Sequence, residues 1–342
     1  MKTIRTVDEL EDELSRPTEA VLKTLQNVDG DMIVLGAGGK MGPTVARMLR
    51  RGLDEIGHGD RRVTAVSRFS SPGSMLPFQK SGIETIACDL LDQASVNRLP
   101  LTPNLFFMAG QKFGTSDSPE LTWVMNTLAP AYVAQRFYQS RIVAFSTGCV
   151  YPLVDANGPG ANENTPLEPP GEYANSCVGR ERVFEHFANR LGTALLLFRL
   201  CYAIDLRYGV LCDIATKVAQ GLPVDVTMGG ANVIWQGDAC ARAIQSLELT
   251  SRPPMALNVT GLEQIPIRSL AERFGELLGR QAVITGREGK KVWAWDATRS
   301  YEQWGPPEVS LEQMAIATAD WIRLGGTTLG KPTHFEVTDG RY

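Results

Sequence analysis

Three glycines spaced three apart carry the clearest chemical signal in the chain: Gly36, Gly39 and Gly42 in Gly36-Ala-Gly-Gly39-Lys40-Met41-Gly42. They follow a short apolar run, Asp31-Met-Ile-Val-Leu, and open a helical pattern. That is the context in which such a turn holds phosphate. Gly36 would permit the tight turn, Gly39 would let the backbone approach a diphosphate, and Gly42 would let the helix pack close to the sheet. Backbone N–H groups at the helix start, around Lys40 and Met41, would meet the phosphates at the positive end of the helix dipole. The chemistry indicated is the binding of a dinucleotide.

The end of the second apolar run refines this. Chains that select NAD place an acid there to bond the ribose hydroxyls. This chain has Thr64-Ala-Val-Ser67-Arg68. Arg68 could pair with a 2′-phosphate and Ser67 could bond it, which favours NADP over NAD. Without that phosphate, Arg68 is a surface charge. Asp89, followed by Leu90 after the third run, is placed to accept from an adenine amino group or to cap the next turn.

The elements that must position these residues are legible from periodicity. Apolar runs of buried-strand length recur at 62–67, 83–88, 105–109, 142–146 and 194–200. Helical patterns at 43–51, 121–138 and 178–191 lie between them. The alternation predicts an α/β fold, a Rossmann-type doubly wound parallel sheet over 31–202. Residues 1–30 read as an extension of two short helices, through Val7, Leu10, Leu14 and Val21, Leu22, Leu25. From 203 to 324 the pattern predicts a smaller C-terminal substrate-binding cap, with 232–262 returning to the Rossmann domain. Helices are expected at 204–223, 269–278 and 311–324, with one more strand at 256–261. The Gly/Thr-rich tail 325–342 reads as a surface arm or a contact with a second subunit.

From 31 to 324 the chain resembles the extended short-chain dehydrogenase/reductases, the family of NAD-dependent epimerases and dehydratases. The glycine turn matches. Phe107-Met108-Ala109-Gly110 is similar to the family segment lining the cofactor, and Asn126 to the asparagine that steadies the central helix. Phe145-Ser146-Thr147-Gly148-Cys149-Val150-Tyr151 resembles the catalytic strand. The resemblance implies that Thr147 contacts the reacting oxygen and that Tyr173, in Gly171-Glu172-Tyr173-Ala-Asn-Ser176-Cys177, is the general acid/base. Looser matches follow in order, at Asp238 to Ala243, Leu257 to Val259 and Asp296 to Ser300. The resemblance implies an oxidoreductase or epimerase acting on a sugar, sugar acid or nucleotide-sugar, and a homodimer.

The chain departs from the family in three places. Family members carry a lysine four residues after the tyrosine, lowering its pKa and bonding the nicotinamide ribose; here Cys177 stands there. A neutral thiol does neither job, so a weakened NAD(P)-binding sensor or scaffold is the alternative function. Arg180, seven residues after Tyr173 and on the same helix face, could supply charge or be solvated or ion-paired. Dehydratases place Asp-Glu where this chain has Gly148-Cys149, which disfavours dehydration. The segment Arg199-Leu-Cys201-Tyr202-Ala-Ile-Asp205 lacks the usual asparagine and weakens the case for a nucleotide-sugar.

Candidate substrate contacts are Lys112, Gly148, Cys149, Arg207 and Trp235. Lys112 could bond a carboxylate or be a solvated loop lysine. An arginine can fork onto an anion, and a tryptophan can stack on a sugar ring. The six cysteines show no C-x-x-C pair or zinc spacing, so buried reduced thiols and no metal are expected. A formal net charge of −4 argues against nucleic acid as a partner. The absence of an 18-residue apolar run argues against a membrane span. The acidic, amphipathic start is unlike a secretory signal, and a cytoplasmic location is expected.

Overall fold

The computed structural model describes residues 2–112, 114–331 and 333–340. The outermost residues of the 1–30 and 325–342 segments lie outside them. Seven strands form one parallel sheet: β1 (Met32–Leu35), β2 (Val63–Ser67), β3 (Glu84–Ala87), β4 (Asn104–Phe107), β5 (Arg141–Thr147), β6 (Ala194–Leu200) and β7 (Met255–Val259). Their spatial order is β7-β6-β5-β4-β1-β2-β3. β1 pairs with β2 through Met32–Val63 and with β4 through Met32–Asn104. The order therefore reverses beside β1, where the crevice of a doubly wound sheet opens. β1, β4 and most of β5 are buried on both faces, which explains their continuous apolar sequence.

Helices cover the sheet: α1 (Val7–Leu14), α2 (Glu19–Asn27), α3 (Gly42–Glu55), α4 (Leu76–Lys80), α5 (Gln93–Arg98), α6 (Pro119–Trp123), α7 (Ala129–Arg136) and α8 (Glu172–Leu191). The run expected as one helix over 121–138 is interrupted by a π-helical turn, Val124–Leu128, between α6 and α7. In the C-terminal part lie α9 (Val210–Gln220), α10 (Gln236–Gln245), α11 (Ile267–Leu278), α12 (Thr298–Trp304) and α13 (Leu311–Arg323). Helix α9 packs on α11 and α13 to form the cap, while α10 packs back on α2 and α3. The helix expected from 204 begins only at Val210. Gly209 takes φ 121°, and Ala203–Ile204 run extended beside Ile234–Trp235.

The N-terminal helices bury Leu10, Leu14, Val21 and Leu25 completely. Each such side chain contributes about 1.5–3 kcal/mol. The expected surface arm is instead packed on the cap. Phe335 is buried, Trp293 Nε1 donates to the Val337 carbonyl at 3.0 Å, and Asp213 accepts from Thr333 N at 2.8 Å. Residues 327–331 of the same arm are exposed, so the packing begins at Thr333.

A buried polar network joins α8 to the sheet. Arg199 on β6 donates twice to Glu181 on α8, at 2.9 and 2.7 Å. Arg199 also donates to the Tyr151 hydroxyl at 2.7 Å, and Ser146 to Glu181 at 2.5 Å. Tyr151 donates to Asn258 on β7 at 2.7 Å. Replacing Arg199 by Met should strand the Glu181 carboxylate and destabilise the chain by about 3–5 kcal/mol in urea unfolding. Arg199→Met with Glu181→Leu should recover most of that loss; no recovery would mean the charge is not what matters.

Candidate active site

Two recesses meet at the carboxyl ends of the strands. The larger, about 830 Å³, is a groove along Gly36, Gly38, Gly39 and Lys40. Ser67 and Arg68 follow from β2, Cys88, Asp89 and Leu90 from β3, and Met108, Ala109 and Gly110 from β4. The smaller, about 300 Å³, is a pocket walled by Met41, Thr147, Cys149, Tyr173, Tyr202 and Trp295 among others. Lys40, Lys112 and Tyr208 line both.

The glycine turn is explained by close approaches. Gly36 has φ 87°, and a Cβ there would lie 2.5 Å from the Ala109 nitrogen at the end of β4. A Cβ on Gly42 would run into the Ala37 carbonyl. The third glycine lets the start of α3 lie against the residue that leaves β1. At Gly39 the nearest protein atom to a Cβ is 3.3 Å away, so the space above it is mostly open. Gly38, which sequence reading passed over, is also constrained, because a Cβ there would lie 2.5 Å from Ser67 Oγ. No side chain caps the start of α3, so its first N–H groups are available to an anion.

At the far end of the groove Arg68 is exposed. Asp89 accepts from the Leu91 nitrogen at 3.0 Å. The cap of α5 is Asp92, not Asp89.

Thr147 ends β5, and its Oγ1 accepts from the Cys149 nitrogen at 3.1 Å. Tyr173 lies in the first turn of α8, entered through Gly171 at φ 81°. The two side chains face one pocket. Burial, then the neighbouring Cys177 and Cys149, push Tyr173 well above the ordinary tyrosine range, while Arg180 pulls the other way. Cys177 is fully buried beside Tyr173 and lines neither recess. Lys112 Nζ lies 5.7 Å from the Tyr173 ring centre, and burial lowers its pKa. Lys112 is half-buried there and lines both recesses, which favours a role in the site over a solvated loop lysine.

Arg180 is not solvated, and among the described residues it has no ion-pair partner. It is buried under Gly110, donates to the Phe145 carbonyl at 3.0 Å and hydrogen-bonds Asn126 Oδ1. Asn126 also accepts from the Gln111 nitrogen at 3.0 Å and donates to Ser176 Oγ at 2.8 Å. The asparagine thus ties the β4 loop to α8 from beneath the groove.

Two expected substrate contacts fall elsewhere. Trp235 is buried in the cluster that holds Leu10 and Leu14, so its indole has no face left for a sugar. Arg207 pairs with Glu11 at 2.7 Å and Asp205 at 2.9 Å, which spends its guanidinium on anchoring α1. The aromatic wall is Trp295, whose Nε1 donates to the Gly148 carbonyl at 2.8 Å. Gly148 itself is buried behind that bond. Tyr202 meets Trp295 edge-on at 5.1 Å and takes a left-handed φ of 43°, strain of the kind retained at binding sites. Tyr202, Tyr208, Trp295 and Thr333 were missed because no spacing in the sequence links them.

No family model and no curated protein matches the chain by sequence. Solved structures do match by shape. UDP-glucose 4-epimerase of Thermus thermophilus, in complex with NAD, superposes with a TM-score of 0.68 at 18% identity, over 86% of this chain and 99% of that one. A dTDP-glucose 4,6-dehydratase of Streptomyces venezuelae with NAD bound gives 0.72 at 18%, over 86% and 97%. One of Bacillus anthracis with NAD gives 0.70 at 14%, over 86% and 97%. The chain has the Rossmann-type fold of the extended epimerase/dehydratase structures.

Gly36→Ala should cost about 1–3 kcal/mol of stability through its positive φ alone, with a further loss from the contact on Ala109. Denaturant unfolding at neutral pH measures it; an unchanged midpoint would contradict the geometry of the turn.

Proposed function

We propose that the chain is an NAD(P)-dependent oxidoreductase or epimerase of the extended short-chain dehydrogenase/reductase type, acting on a hydroxyl-bearing carbon of a carbohydrate-type molecule. The observation that carries this reading is the convergence of Thr147 and Tyr173 on one pocket that shares Lys40, Lys112 and Tyr208 with the groove. The uncrowded space over Gly39 and the uncapped start of α3 fit a dinucleotide diphosphate. Ser67, Arg68, Asp89 and Leu90 would hold the adenosine end, and Met108, Ala109 and Gly110 the opposite wall. The exposed Arg68 favours NADP, although the matched structures contain NAD. A bound nicotinamide supplies hydride acceptance and return.

In this reading Thr147 holds the reacting oxygen and Tyr173 moves its proton. With Cys177 in place of a lysine, Tyr173 stays protonated at neutral pH and acts most readily as an acid. Oxidation of a hydroxyl needs the phenolate and should rise with pH across the alkaline range. Cys177 also supports the second reading, a cofactor-binding sensor or scaffold whose chemistry has weakened. Six buried cysteines with no disulfide among the described residues are consistent with the cytoplasm. Leu121, Val124 and Leu128 are exposed on the α6–α7 rod, and with α8 they suit a homodimer.

Tyr173→Phe should lower turnover by about 10²–10⁴-fold with cofactor affinity retained; undiminished turnover would refute the acid/base role. Cys177→Lys should move the alkaline limb of oxidation to lower pH, and an enzyme active only with this substitution would favour the sensor. Arg68→Ala should weaken NADP but not NAD in a fluorescence titration. Equal losses would remove the case for NADP.

A further inference from the structure

The pocket beside Thr147 and Tyr173 has a distinctive charge and size. Among its described lining residues two are cations, Lys40 and Lys112, and none is a carboxylate. Lys40 Nζ donates to the Ala203 carbonyl at 3.0 Å and lies 4.0 Å from the Tyr208 ring centre. Both partners are themselves pocket walls. Lys112 stands on the Tyr173 side. The carboxylate acting on Lys40 is that of Asp205, which is engaged by Arg207 and lies outside the pocket. Two lysines lining one recess with no carboxylate among its described walls make it attractive to an anion. Burial, opposed by Asp205, holds Lys40 down to about 8.

Size points the same way. A pocket of about 300 Å³ has the volume of roughly ten water molecules at about 30 Å³ each. That gives room beside Thr147 and Tyr173 for a molecule of about the size of a hexose acid, and a nucleoside diphosphate would have to extend beyond this recess. The C-terminal arm contributes a wall, because Thr333 is pinned to Asp213 through both its N–H and its hydroxyl, at 2.8 and 2.6 Å.

We infer that the substrate of this site is a small hydroxylated anion without a nucleotide handle, its carboxylate or phosphate held by Lys40 and Lys112 while the reacting hydroxyl lies at Thr147 and Tyr173. The inference rests on the oxidoreductase reading of that pair. Lys112 would hold the end of the anion nearer the reacting carbon, and Lys40 the end nearer the Ala203–Tyr208 wall.

The test is calorimetric titration of the full chain, first with NADP and NAD and then, cofactor-loaded, with a panel of small ligands. The panel comprises four- to six-carbon aldonates and uronates, their neutral amides, hexose phosphates with their parent sugars, and UDP-glucose. At least one acid or phosphate should bind about tenfold or more tightly than its uncharged counterpart, and which of the two does so identifies the anion. Lys40→Met and Lys112→Met should each collapse that ratio towards one. Uptake of a dinucleotide followed by UDP-glucose binding as tightly as any small anion would overturn this inference and leave the oxidoreductase reading standing. So would equal binding of charged and neutral partners, or no binding across the panel. No uptake of either dinucleotide would overturn both.

Discussion

A buried ion pair between Arg199 and Glu181 holds the site together. Glu181 belongs to the helix that carries Tyr173, and Arg199 to the strand beside the one that ends at Thr147. Burial alone would disfavour the charged arginine, but the bidentate bonds to Glu181 and the contact with Tyr151 raise its pKa overall. The same two groups reach Ser146, Tyr151 and, through Tyr151, Asn258. Glu163 and the Ala161 and Asp296 carbonyls then attach the cap loops to Asn258. With each charge hydrogen-bonded, the pair fixes how α8 lies on the sheet, and with it the placement of Tyr173 against Thr147.

Positive charge around Tyr173 is distributed differently from the pattern of the resembled family. Cys177 removes the ammonium from the tyrosine's own helix face. Arg180 lies one turn further on and beneath, committed to Asn126 and the Phe145 carbonyl. Lys112 arrives from the loop after β4, and Lys40 from the glycine turn. Cations that arrive on loops face the pocket, whereas a helix lysine would have faced the tyrosine and the cofactor ribose. The consequence is a more basic phenol beside a pocket whose described walls carry two lysines.

Segments near both ends of the chain are anchored at Arg207. Helix α1 is held by Arg51, Arg207 and the buried Leu10 and Leu14 beside Trp235. The C-terminal arm passes Arg207 through the Leu329 nitrogen, then Asp213, and reaches Gly171 at the start of α8. Arg207, read from the sequence as an anion hook, is thereby a fastener for both termini.

Thr147 and Tyr173 were legible only through resemblance to a family; the parallel sheet, the order of its elements and the glycine turn were determined by the sequence alone. These follow from local causes: apolar runs of strand length, glycines where a Cβ cannot fit, and a helix start next to a strand end. What Arg180, Arg207, Trp235 and Trp295 do was decided only in three dimensions. An arginine or a tryptophan has the same local signature whether it is buried beneath a groove, paired with a terminus or set in a pocket wall. Its role depends on which distant segments pack against it, and long-range packing leaves no period in the sequence.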